Sequence, residues 1–188
     1  MRGGSFASTK ALASAHHCRQ CRCVVEPIDL GPTGGCLWSD PEEWARRRTP
    51  EGCIVCVSGG PLDIVAEFAS CWATMPRTAP LPAYVCVISR VHVNEPFEMS
   101  DTEQANFWRD TMAIARAVAR QAQPIKMNYE IHGNTIPHLH MHLFPRTAGD
   151  VYVGYVIHHR VEFEHSAEDL EELKTGIVAR LREAERLA

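Results

Sequence analysis

The sequence predicts an α+β domain built on an antiparallel sheet. Three observations point there. Short apolar runs with two-residue alternation lie between Pro- and Gly-marked turns and read as strands. Ser100 and Glu103 have the spacing of a capping box ahead of a helix whose apolar residues recur at helical intervals. A second helix closes the chain with its acids early and its bases late, the order a helix dipole favours. At 188 residues, 45% hydrophobic and 22% charged, the chain suits one such domain with a tail and argues against general disorder.

Taken in order, the Pro/Gly-rich segment from Pro27 to Gly35 reads as a linker, which places the domain at residues 38–188, opening near Trp38. Asp40 before Pro41 and Glu42 reads as the N-cap of a short helix running to about Arg48. Glu51 and Gly52 then turn into a knuckle at Cys53–Cys56. Leu62 to Met75 reads as one strand, with Ile64, Ala66 and Phe68 in alternation. A turn punctuated by Pro76, Pro80 and Pro82 leads to a strand over Ala83 to Ser89. The capping-box helix is expected to bury a stripe of Ala105, Trp108, Met112, Ala115 and Ala119 and to close at Pro124. Ile125 to Ile131 and His138 to Phe144 follow as strands about a Gly133-Asn134 turn. The last helix covers about Ala167 to Leu187 behind a Ser166 cap.

Charge is uneven. Residues 1–25 hold Arg2, Lys10, Arg19 and Arg22 and no acid, so all 23 acids lie in the remainder. That leader is rich in Ser, Ala and Gly, a weak likeness to a transit peptide, without the continuous apolar core of a secretory signal. Residues 1–37 are therefore expected to be a disordered extension. Uncharged stretches such as Thr78 to Ser89 fall short of the ~18 apolar residues of a membrane span. A net charge of −4 gives no pull toward nucleic-acid phosphates. No membrane and no nucleic-acid partner is expected, and a cytoplasmic location follows.

Of eight cysteines, Cys71 and Cys86 lie in apolar, strand-like runs and read as buried thiols. Cys53 and Cys56 form a Cys-x-x-Cys pair, which in a reducing compartment points to metal or redox chemistry. His16, His17, Cys18, Cys21 and Cys23 make a second possible metal grip in a segment with no supporting fold.

His138-Leu139-His140-Met141-His142-Leu143 carries the most chemistry. On a strand, alternate side chains share a face at ~7 Å intervals, so three imidazoles face one way while Leu139, Met141 and Leu143 face the core. Three neighbouring imidazoles repel when protonated and need partners when buried, a poor choice for packing alone. Two chemistries fit: a three-histidine metal site with an activated water, or covalent catalysis in which one imidazole attacks phosphorus. The spacing leaves both open.

The run from Asn128 through His132, Gly133, Asn134 and Thr135 into His138–Phe144, then Pro145-Arg146, resembles the histidine triad (HIT) family of nucleotide hydrolases and transferases. The family's mark, His-φ-His-φ-His-φ-φ with φ apolar, is complete in His138, Leu139, His140, Met141, His142, Leu143 and Phe144. Val87 to Val93, containing Arg90 and His92, resembles the family strand that ends in a basic residue and a histidine. The likeness covers roughly residues 51–146 and is to the zinc-bearing bacterial type, similar to diadenosine polyphosphate hydrolases. It implies a HIT-like fold: about five antiparallel strands with a helix packed on them, here with an added C-terminal helix.

The resemblance also implies roles. His140 is the nucleophile on the α-phosphorus of a nucleotide, forming a nucleotidyl-histidine that water releases as the monophosphate, and His142 contacts the phosphate oxygens. Thr135, Asn134 and Asn128 match residues that hold phosphate or leaving group. Cys53, Cys56, His92 and His138 match the structural Zn²⁺ set of the zinc-bearing members. Dinucleoside polyphosphates or nucleoside phosphoramidates are the implied substrates, and a homodimer through the helix Asp101 to Gln121 the implied assembly. Three alternatives stand beside hydrolysis: nucleotidyl transfer or phosphorolysis, a non-catalytic nucleotide-binding module, and a three-histidine metallohydrolase. Ala73-Thr74-Met75-Pro76-Arg77 lacks the carboxylate with which relatives hold the ribose. His132, His158, His159 and His165 carry no motif role and are expected at the solvent surface.

Overall fold

A computed structural model describes residues 40–157 and 163–187. The expected extension at residues 1–37, its Cys/His cluster, the boundary at Trp38, and His158 and His159 lie outside the described residues. Helix α1 (Pro41–Arg47) starts where Asp40 predicts, the Asp40 carboxylate accepting from the Glu43 amide at 3.0 Å. The knuckle is one helical turn, α2 (Ile54–Val57), with Cys53 as its N-cap. The 3₁₀ turn Pro96–Glu98 precedes α3 (Asp101–Ala122), which carries the expected reciprocal capping box of Ser100 and Glu103. At the far end, the Ser166 hydroxyl accepts from the Asp169 amide at 3.0 Å and opens α4 (Ala167–Leu187).

The strands are β1 (Ile64–Glu67), β2 (Cys71–Thr74), β3 (Thr78–Ala79), β4 (Val85–Ser89), β5 (Lys126–Ile131), β6 (His140–Arg146) and β7 (Phe163–Glu164). Five of them form an antiparallel sheet in the order β1-β2-β4-β6-β5, the HIT-like α+β architecture expected. Two differences from the sequence reading concern how the strands pair. Leu62 to Met75 is a hairpin and not one strand. The chain reverses at Phe68–Ser70, where no Gly or Pro announces a turn, and Glu67 then pairs with Trp72. Also unexpected is a second sheet, β3 with β7, which ties the start of α4 back to the Thr78 segment.

The sheet has two buried faces with different contents. On one, Val85, Val87, Leu139, Met141 and Leu143 pack against Phe107, Ile114 and Val118 of α3 and Ile177 of α4. The α3 stripe is offset from the expected one. Phe107, Thr111, Ile114, Ala115 and Val118 are buried, whereas Trp108 is 39% exposed and Ala105 is at the surface. Adjacent helical stripes are ~100° per residue apart, so Phe107 and Trp108 cannot both face the sheet, and Phe107 takes the interior. The other face carries Tyr84, Cys86, Ile88 and Phe144, covered by Cys53, Val55, Leu81, Ile136, Tyr152 and Ile157. No helix among the described residues is long and apolar enough to cross a membrane.

Candidate functional site

From His140 onward strand alternation sorts the histidine row as expected, whereas His138, expected on the same strand and face, precedes it. Leu139, Met141 and Leu143 join the helix-side core, while His140 and His142 share the second face with Phe144. His138 lies just before β6, in the turn where the Leu139 amide donates to the Val93 carbonyl at 2.7 Å. The rings of His140 and His142 sit edge to face with centroids 4.9 Å apart. All three histidines are nearly or fully buried.

Backbone carbonyls decide which nitrogen of each ring holds a proton. A carbonyl oxygen only accepts, so a ring nitrogen bonded to one must be N–H. The His138 Nε2–H donates to the Ser89 carbonyl at 2.8 Å, and the His92 Nε2–H donates to the Arg48 carbonyl at 2.8 Å. Both rings therefore present a bare Nδ1, and the two Nδ1 atoms face each other at 3.2 Å. Cys53 Sγ lies 3.3 Å from His138 Nδ1, and Cys56 Sγ lies 3.3 Å from His92 Nδ1 and 3.7 Å from His138 Nδ1.

This donor set fits a tetrahedral metal. With Zn–S near 2.3 Å and Zn–N near 2.0–2.1 Å, tetrahedral edges come to about 3.3 Å between nitrogens and about 3.5 Å between sulfur and nitrogen. The four donor atoms all lie within 4.8 Å of one another. Burial pushes His138 down to about 4, keeping its ring neutral as a ligand must be. Burial, reinforced by Cys53, pushes the Cys56 thiol up to about 12, so a thiolate there requires a cation beside it. The sequence set Cys53, Cys56, His92 and His138 is thus brought together from segments up to 85 residues apart.

At His140 the same carbonyl logic runs the other way. Its Nδ1–H donates to the His138 carbonyl at 2.7 Å, which leaves the lone pair on Nε2. Burial holds this ring below the ordinary imidazole range, partly offset by the carbonyl bond, with the charge of His132 acting in the same direction as burial. The result is a neutral, oriented imidazole. His142 Nδ1 lies 2.6 Å from the Tyr84 hydroxyl, and its ring stacks on Phe144.

The remaining expected residues divide. Thr135 is fully buried, and its hydroxyl has no hydrogen-bond partner among the described residues. A buried hydroxyl needs a partner, and a ligand oxygen reaching this loop would supply one. Asn134 is half-buried in the same loop. Asn128 pairs opposite Phe144, whereas Glu130 is the residue opposite His142. Asn128 thus stands about 13 Å of strand from the level of His140. It opens instead into a groove of about 280 Å³ with Lys126, Arg146 and Asp150. In the segment that lacks the ribose carboxylate, Thr74 is buried and donates to the Cys86 carbonyl at 3.3 Å.

Sequence reasoning missed several participants. Tyr84 looks like any core aromatic until its hydroxyl is seen against His142. His132, expected to be exposed, is half-buried with its Nε2–H on Glu130 Oε2 at 3.0 Å and its ring 5.3 Å from that of His142. His165, also expected at the surface, is 2% exposed, its amide donating to the Arg77 carbonyl at 3.0 Å and its ring lying 4.8 Å from that of Phe163.

Comparison with known proteins agrees with this fold. Residues 60–149 match the family described as HIT domain. The chain is 27% identical over 139 residues to "Protein hit" of Bacillus subtilis, covering 70% of this chain and 95% of that one. A histidine triad protein from Bradyrhizobium japonicum superposes with a TM-score of 0.59 at 18% identity, over 63% of this chain and 89% of the other. A Zn-bound histidine triad family protein from Mycobacterium smegmatis superposes with a TM-score of 0.56 at 21% identity, over 74% of this chain and all of that one.

Proposed function

We propose, from a chain that carries a HIT domain at residues 60–149, that it is a nucleotide hydrolase working through a covalent nucleotidyl-histidine. The observation that carries this reading is the state of His140: buried, neutral, with Nδ1–H fixed on the His138 carbonyl at 2.7 Å. A nucleophilic imidazole needs its lone pair on the nitrogen that attacks and its ring held still, and this arrangement supplies both. His140 Nε2 attacks the α-phosphorus, the leaving group departs, and water releases the nucleoside monophosphate.

Around that step, His142, tied to Tyr84, stabilises charge on the phosphate oxygens. The orphan Thr135 hydroxyl and Asn134 receive the phosphate or the leaving group. Dinucleoside polyphosphates and nucleoside phosphoramidates are the substrate classes. Asn128 and Lys126 line a groove suited to the more distant phosphates of the former.

Cys53, Cys56, His92 and His138 would hold a structural Zn²⁺. When bound, that ion supplies a closed four-ligand cross-link without an open position for water. His138 then has both ring nitrogens committed, and its carbonyl, which receives the His140 proton, is fixed in place. A homodimer would use the exposed side of α3, where Trp108 and Ala105 remain uncovered.

The test is release of AMP from diadenosine tetraphosphate and from adenosine phosphoramidate, by the full chain and by His140→Ala. Turnover that vanishes in the folded variant supports the reading. Turnover that survives the substitution removes the covalent mechanism, and a wild type inert on both substrates favours a nucleotide-binding module.

A further inference from the structure

We infer that the groove at the far end of β5 is a subsite for the second nucleoside of a dinucleoside polyphosphate, with Lys126 placed for the phosphate next to that nucleoside. The inference rests on the hydrolase reading above and chooses between its two substrate classes. Position, construction and charge carry it.

Position comes from the strand ladder. Alternate side chains share a face, so Lys126 and Asn128 of β5 look the same way as Phe144, His142 and His140 of β6. Asn128 is level with Phe144 and Lys126 with Arg146, about 13 and about 20 Å of strand from His140. With the attacked phosphorus at His140, a bridge of four phosphates sets its second ribose near the level of Asn128. A bridge of three stops short, and a phosphoramidate carries no second nucleoside. The groove of about 280 Å³ opens at that level. Pockets for a whole drug-sized ligand run to about 300–1,000 Å³, so this one admits the end of a dinucleotide and not all of it.

Construction rests on one buried ion pair. Arg146 Nε and Nη2 donate to Asp150 Oδ2 and Oδ1 at 2.8 and 3.0 Å, while Nη1 and Nη2 donate to the Tyr155 and Tyr152 carbonyls at 3.1 and 2.6 Å. Asp150 also accepts from the Thr147 and Tyr152 amides at 3.2 and 2.8 Å. The Arg146 and Asp150 side chains are 12% and 4% exposed. Burying two charges costs desolvation, offset here by bonds that fix the loop 147–155 in one shape. That loop supplies Val153, 55% exposed, to the groove wall beside Ile125, 76% exposed. Apolar walls open to solvent fit the flat faces of a base.

Charge gives the direction. Arg146 is committed to the loop, so the cation the groove offers is Lys126, which has no acid paired with it among the described residues. On the other side of His140 the sheet leads through Ile88 and Trp72 to Glu67. Arg90 there is bound to Glu67 at 2.6 Å and lies 4.4 Å over the Trp72 ring. A polyanion leaving His140 therefore meets uncommitted positive charge toward β5. Glu130 stands on that route, and it accepts from His132 Nε2–H at 3.0 Å, so its charge is shared with an imidazole. A lone inorganic anion would find one lysine here. A nucleoside phosphate uses the lysine, the Asn128 amide and the apolar walls together.

The test compares diadenosine tetraphosphate, diadenosine triphosphate and adenosine phosphoramidate by steady-state AMP release. Lys126→Ala is expected to lower the ratio of kcat/KM for the tetraphosphate to that for the phosphoramidate about tenfold, mainly through KM. The corresponding ratio for the triphosphate should fall less, and Lys126→Arg should restore both. Val153→Asp, which sets a carboxylate in the groove wall, should lower the tetraphosphate ratio as well. A merely structural role would depress all three substrates alike and leave the ratios where they were. Ratios unmoved by Lys126→Ala overturn the inference, as does a wild type that cleaves the phosphoramidate and not the tetraphosphate. In either case the hydrolase reading stands if turnover requires His140. A wild type inert on all three substrates overturns the two together.

Discussion

Replacing Tyr84 by Phe removes one oxygen atom from a fully buried pair and nothing else. The phenyl ring keeps its stacking on Phe144, at 5.1 Å between centroids, so the apolar burial is unchanged. What is lost is the 2.6 Å bond to His142 Nδ1, and with both residues 1% exposed or less, water does not replace it. Stranding one polar atom in such a site costs about 1–3 kcal/mol. That is a measurable part of the 5–15 kcal/mol that holds a typical domain together. Urea unfolding followed by tryptophan fluorescence reads this cost directly as a shift in midpoint at constant slope. The same variant removes the bond that orients the His142 ring, so AMP release should fall about 10–100-fold in kcat, with KM nearly unchanged, if His142 acts on the transition state. A stability change below about 0.5 kcal/mol together with unaltered kcat would refute the idea that Tyr84 holds His142.

Three further outcomes follow from the geometry. Metal-loaded protein treated with a chelator is expected to lose thermal stability, and Cys53→Ser to show the lower melting temperature without chelator; a wild type holding no zinc by elemental analysis would count against the metal set. Gly52→Ala should be costly, about 2 kcal/mol or more, because a Cβ at that position meets the Arg46 carbonyl oxygen, which is backbone and cannot swing aside; a neutral result in chemical denaturation would contradict the packing. Burial lowers the pKa of His165, so the unfolded chain binds its proton first on acidification. The stability this residue contributes is present above about pH 6.5 and lost as the pH falls through its lower folded value, and His165→Gln should flatten the melting temperature against pH in that window relative to wild type. Asp169, whose charge favours the protonated ring, partly offsets the effect, and curves that stay parallel would exclude it.

Much of the architecture was legible because its causes are local. The capping box of Ser100 and Glu103, the Asp40 cap and the Ser166 start of α4 are set by residues three apart, and the structure has each of them. Alternation in His140–Leu143 fixes which side chains share a face, since a strand has no other choice, whereas His138, expected on the same strand, lies in the turn before it. The β1–β2 reversal was illegible because Phe68-Ala69-Ser70 carries no turn chemistry; pairing of Glu67 with Trp72 and burial of Cys71 and Ala73 impose it. The offset on α3 is similar, since Phe107 and Trp108 are equally apolar and the sheet chose between them.

By itself the sequence determined the residue types of the site and, through resemblance, the four residues expected to gather round a metal. Tertiary structure alone brought Cys53 to 3.3 Å from His138 across 85 residues and turned both ligand rings so that Nδ1 faces inward. The carbonyls of Ser89, Arg48 and His138 set the protons on His138, His92 and His140, and Tyr84 and Glu130 orient His142 and His132. A carbonyl is the same group in every residue, so no letter in the sequence marks the ones that matter. Only their position in the fold gives a hydrogen bond its partner and its direction.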